Sequence, residues 1–166
     1  MPIATAFPRK IRSFRQYSGF IRLWLAPTWL LLGASRAVIL VLSFKRLAPR
    51  LGAHEGATPW VPLVDGSQEQ RALEIARLIR LAARHTPWNS NCFAQATAAR
   101  LLLGLYHIPY VLYFGLARDA GSRKMNAHAW VAAGRVRVTG GAAFGRFSVV
   151  GCFVAPQLAA GRTKHP

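Results

Sequence analysis

A chain of 166 residues, 52% of them hydrophobic, is long enough for one domain with a core of its own and too apolar for a disordered tail. Twenty-two Lys and Arg against five acids give a net charge of +17 and a pI near 11.7, a field that draws nucleic acid, anionic lipid, acidic peptide or acidic protein alike. No aromatics interleave with base-reading arginines, which disfavours nucleic acid, and two cysteines without a CxxC exclude a disulfide scaffold or a zinc knuckle.

The N-terminus is basic but is not followed directly by a compact apolar run and a small-residue cleavage site, so a cytoplasmic location is expected. Leu23 to Phe44 is long enough to span a bilayer. Arg36 near its middle costs about 2.5 to 3.5 kcal/mol on insertion, and Pro27 and Gly33 interrupt it. Two short helical pieces, packed in the core or lying on a membrane surface, are expected there, with Lys45 to Arg50 and Pro49 as a basic stop. Residues 1–51 are thus an apolar and basic helical segment, residues 52–66 a Gly- and Pro-rich linker, and residues 67–156 the main domain.

A capping box at Ser67 and Gln70 opens a helix whose apolar positions run from Ala72 to Ala83 and which ends near His85, ahead of Pro87. Polar residues from Asn89 to Asn91 then cap a second helix that starts at Cys92, runs to Leu103 and closes at Gly104. Beyond Pro109 the apolar period falls to two. Residues 110–117, 127–133 and 135–139 read as an antiparallel meander, with a basic loop at 118–125, a tight turn at Gly134, and a fourth strand around residues 147–154. Helices followed by a sheet give an α+β domain.

Cys92 in a helix's first turn is a candidate nucleophile, because helix N-termini favour the reactive thiolate; the competing reading is a small buried hydrophobe. His128 shares a strand face with Trp130 and Ala132 and is expected to project toward the Cys92 helix as its base. His54, His85, His107 and His165 lack metal-ligand spacing, and Cys152 sits in an apolar strand-like stretch. No cofactor or metal is expected.

Trp88-Asn89-Ser90-Asn91-Cys92, the helix FAQATAARLLLGL, residues 110–115 and Ala127-His128-Ala129-Trp130-Val131 together resemble the lasso-peptide B protein, a leader peptidase of transglutaminase-like (papain-like) fold. The order of these motifs, their spacing, the apolar N-terminal segment and the total size agree. The resemblance implies a small antiparallel sheet with helices packed on it, attack by Cys92 on the scissile amide, and proton transfer by His128. Donors for the oxyanion would come from the Cys92 N–H with Trp88, Asn89 or Asn91, and Trp130 would border the substrate.

Members of that family carry an Asp after the His-bearing strand, where this chain has Val138-Thr139-Gly140-Gly141. Asp119 in the preceding loop, Thr139 or a backbone carbonyl is left to orient the imidazole. The implied partners are a lasso precursor peptide, an ATP-dependent lasso cyclase and a separate leader-recognition protein, since the N-terminal third shows no strand-turn-strand edge for a leader to join. The apolar segment adds a peripheral membrane contact. Two other functions fit the same residues: an amide-forming acyltransferase using the same Cys and His, and a non-catalytic basic adaptor for membrane or nucleic acid.

Overall fold

The computed structural model describes residues 16–57, 60–118, 124–141 and 145–158. Its first element is a single helix, α1 (Gly19–Val41), where two pieces are expected from the sequence. Ser18 caps it by accepting the Ile21 N–H, and Pro27 sits inside it. Helical geometry persists across Pro27 because tertiary packing holds both halves: Ile21, Thr28, Leu32 and Ser35 are buried, and the helix packs on those at Gly66–Ala83 and Cys92–Leu105. Gly33 is no break either. A Cβ there would fall 2.8 Å from the indole of Trp88, so the residue marks a close approach.

After α2 (Phe44–Leu47) and a 3-10 turn at Ala48–Arg50 comes a two-residue strand, β1 (Ala53–His54), within the stretch read as a linker. α3 (Gly66–Ala83) opens two residues earlier than expected. Asp65, not Ser67, is its cap: the carboxylate accepts from Ser67 N and Gln68 N, and Gln68 closes the box on the Asp65 N–H at 3.1 Å. The Ser67 hydroxyl, which donates to the same carboxylate at 2.6 Å, is the largest cause holding the Asp65 carboxyl below its ordinary pKa, followed by the Gln68 N–H. α4 (Cys92–Leu105) follows, with Gly104 inside it, and the left-handed residue at its exit is His107.

The sheet comprises β2 (Val111–Arg118), β3 (Met125–Ala133), β4 (Val136–Arg137) and β5 (Ser148–Val154) with β1, all antiparallel, in the order β1-β5-β2-β3-β4. Gly134, at positive φ, makes the tight β3–β4 turn. β5 does not continue the meander but returns beside β2. Alternation then sorts the side chains. Leu112, Ala129, Val131, Ala133 and Phe153 pack with Ile75, Ile79, Ala99 and Leu103 of the helices into the main core, where each large aliphatic side chain contributes about 1.5 to 3 kcal/mol. Val111, Tyr113, Trp130, Ala132 and Cys152 form a second cluster on the opposite face. Burial pushes the Cys152 thiol up to about 11, as befits a core residue.

Candidate active site

Cys92 is the first residue of α4 and is partly exposed. The helix begins there because Asn91 holds extended geometry and its Oδ1 accepts the Ala94 N–H at 3.0 Å. Asn91 N in turn donates to the Asn89 carbonyl at 3.0 Å, and Gln95 Nε2 to the Ser90 carbonyl at 2.7 Å. Thr86 ties the same turn together, its hydroxyl bonding the Ala83 and Trp88 carbonyls and lying 2.9 Å from Ser90 Oγ. The approach to Cys92 is therefore a bonded turn, and the Asn91 side-chain oxygen is engaged as a cap.

Trp88, also in that turn, packs its ring against Trp29 of α1 with centroids 4.5 Å apart. Its indole N–H is buried and meets no hydrogen-bond acceptor among the described residues. Trp29 itself donates to the His85 carbonyl at 3.1 Å, so α1 supports the turn from behind.

His128 shares its face with Trp130 and Ala132, as alternation requires, but that face is the one turned away from α3 and α4. The residues of β3 that pack in the main core with the helices are Ala129, Val131 and Ala133. The His128 ring stacks on Phe147 at 5.1 Å and Trp130 at 6.1 Å. Burial lowers its pKa from the ordinary 6.5, which favours the neutral imidazole. No hydrogen bond joins Cys92 to His128 among the described residues.

What connects the two regions is the segment after β4. A Cβ on Gly140 would lie 3.0 Å from His128 Nε2, and Gly140 and Gly141 also line a small cavity of about 80 Å³ with Gln95, one turn along α4 from Cys92. Gly140 thus lies beside both His128 and the cavity that Gln95 borders.

A family model described as the transglutaminase-like superfamily matches residues 38–151, more than half of the chain. The chain belongs to the transglutaminase-like superfamily. No curated protein and no solved structure matches it. The superfamily contains cysteine peptidases and transglutaminases, whose shared step is acyl transfer through a cysteine. The match begins inside α1, and this helix packs on α3 and α4 as part of the same fold. α1 is long and apolar enough to cross a membrane, a property it shares with core helices and signal sequences, and is weak evidence for membrane association.

Set in the superfamily fold, the other residues named from sequence divide. Trp130 is 2% exposed and stacked on Tyr113 at 5.5 Å and on His128 at 6.1 Å, so its ring packs against the imidazole. Thr139 is buried, and its hydroxyl oxygen accepts the Val131 N–H at 3.1 Å. Asp119 lies outside the described residues. Asn89 is exposed beside the cap. Among the described residues no three His, Cys, Asp or Glu side chains are placed to hold a metal. Sequence reasoning missed Gly140 and Gln95: the Thr139-Gly140-Gly141 run was the signal for the first, and Gln95 in a mostly apolar helix carried none.

Proposed function

We propose that the chain is a cysteine peptidase that removes the leader from a lasso-peptide precursor, ahead of ring closure by a separate ATP-dependent cyclase. The observation that carries the reading is Cys92 in the first turn of an Asn91-capped helix within a superfamily of cysteine acyl-transfer enzymes. In this reading Cys92 Sγ attacks the scissile carbonyl carbon and His128 accepts the thiol proton, which requires the thiol and the imidazole to meet in the substrate complex, since no hydrogen bond joins them among the described residues of the free chain. The C–N bond then breaks as His128 protonates the leaving amine, and water, deprotonated by His128, cleaves the thioester to release the leader carboxylate. The oxyanion takes the Cys92 N–H in this reading, the Trp88 indole N–H being buried against α1. Asp119, Thr139 or a backbone carbonyl is left to orient the imidazole, and the Asp119→Asn variant below separates the first from the others. The lowered pKa of His128 supports its use as a base near neutral pH.

The test combines purified chain, full-length precursor and the separate leader-recognition protein, with products read by mass spectrometry. A free leader carboxylate is expected, with cleavage slow when the recognition protein is omitted. Cys92→Ala should reduce the rate by several orders of magnitude. Wild-type turnover by that variant would overturn the reading, and a leader joined to an added amine would mark an acyltransferase instead. Asp119→Asn should lower the rate with precursor binding unchanged.

A further inference from the structure

Beside the small cavity next to Gly140 lies a larger groove of about 410 Å³ between α3 and the edge strand β4. Arg77 and Arg80 line it from α3, Arg135 and Arg137 from β4 and the turn before it, and Ala76 and Val136 form part of its floor. All four arginines are exposed, and the one acid present, Glu69, is paired with Arg135 at 3.5 Å. The two hollows share Ala76, Arg80 and Arg137, so the arginine groove continues into the cavity that Gly140 and Gln95 border.

We infer that this groove binds an acidic segment of the peptide substrate and leads the chain toward the candidate active site. The inference rests on the acyl-transfer reading above for taking the ligand as part of a substrate. Four guanidinium groups against one carboxylate concentrate positive charge in a concave site, and guanidinium forks pair with carboxylates in two parallel hydrogen bonds. The apolar floor suits the aliphatic parts of a peptide. A single-stranded nucleic acid fits less well, because no aromatic side chain lines the groove to stack on a base. β4 is the last strand of the sheet, which leaves an extended peptide a strand edge to lie along.

The test uses the full chain and a fluorescein-labelled glutamate-rich peptide, with binding followed by fluorescence anisotropy. Arg77→Gln with Arg80→Gln should weaken binding on the order of tenfold. The double Lys variant at the same positions should recover most of it. A control of equal charge, Arg22→Gln with Arg46→Gln on the N-terminal helices, neither of which lines the groove, should change binding less than about twofold. Equal losses in both double variants would show only the general field of the chain and overturn the inference. So would an oligothymidylate of matched charge displacing the peptide more readily than unlabelled peptide does. With cleavable precursor the Gln pair should raise KM and spare kcat. If the wild type cleaves nothing yet binds the peptide through the groove, the peptidase reading fails while the binding site stands.

Discussion

Gly33 in the middle of α1 lies directly against the indole of Trp88, four residues before Cys92, and a Cβ at residue 33 would approach Trp88 Cζ2 to 2.8 Å. The N-terminal helix and the turn that presents the cysteine are therefore fitted to one another. Gly33→Val would force the helix or the indole to move, at a cost of about 1 to 3 kcal/mol for overpacking. Denaturant unfolding should show a lowered midpoint, and Trp fluorescence should report the displaced Trp29 and Trp88 pair. An unchanged midpoint and spectrum would mean that α1 is not seated on this turn.

Asn91 holds the start of α4 through its bond to Ala94 N. Asn91→Ala removes that acceptor and should cost about 1 kcal/mol, lowering Tm by about 2 to 4 °C for a chain of this size. Asn91→Ser or Asn91→Asp keeps a capping oxygen and should restore most of the loss. If Ser and Ala variants melt alike, the cap contributes nothing, and Asn91 is open to another role beside Cys92.

Much of this arrangement was legible in the sequence because it is local. Asn91 before Cys92 announces a helix start, the period of two from Val111 to Ala133 announces strands, and Gly134 announces the turn between two of them. What escaped depends on distant partners. Pro27 reads as a break until the packing of α1 on α3 and α4 is known, and Ala53 and His54 read as linker because a two-residue strand has no period of its own and exists through its pairing with Phe153 and Val154. Asp65 and Ser67 each head a sequence that fits a capping box, and the carboxylate, accepting two N–H groups, takes the position. Alternation correctly groups His128 with Trp130 and Ala132, but which face meets the helices is decided by the partners across the sheet.

Gly140 occupies the left-handed region at φ 70°, and a Cβ there would come within 2.5 Å of Trp130 Cβ and 3.0 Å of His128 Nε2. Gly140→Ala should cost about 1 to 3 kcal/mol from backbone strain, with further loss from the contact with Trp130. The substitution should also reduce precursor cleavage beyond the effect of stability, measured well below the Tm where the variant remains folded. A Cβ on Gly141 would meet no atom within 4 Å, so Gly141→Ala serves as the control and should leave both quantities near wild type.

His128 gives the last prediction, through pH. Burial between Phe147 and Trp130 lowers its pKa below the ordinary 6.5, so the unfolded chain binds this proton more readily than the folded one. The stability associated with the neutral ring is fully present above the unfolded pKa and is lost as pH falls through the depressed folded value. Unfolding free energies of wild type and His128→Gln, compared from about pH 8 down to about pH 5, isolate this residue from the other histidines, since their contributions cancel in the difference. The wild type should lose stability relative to the variant as the pH drops below about 6.5. Over the same range the neutral base persists to a lower pH than a free imidazole would, so the acidic limb of the kcat/KM profile should fall below about 6.5. A difference in unfolding free energy that stays constant with pH would show that His128 titrates alike in both states, and would remove the basis for its acting as a desolvated base.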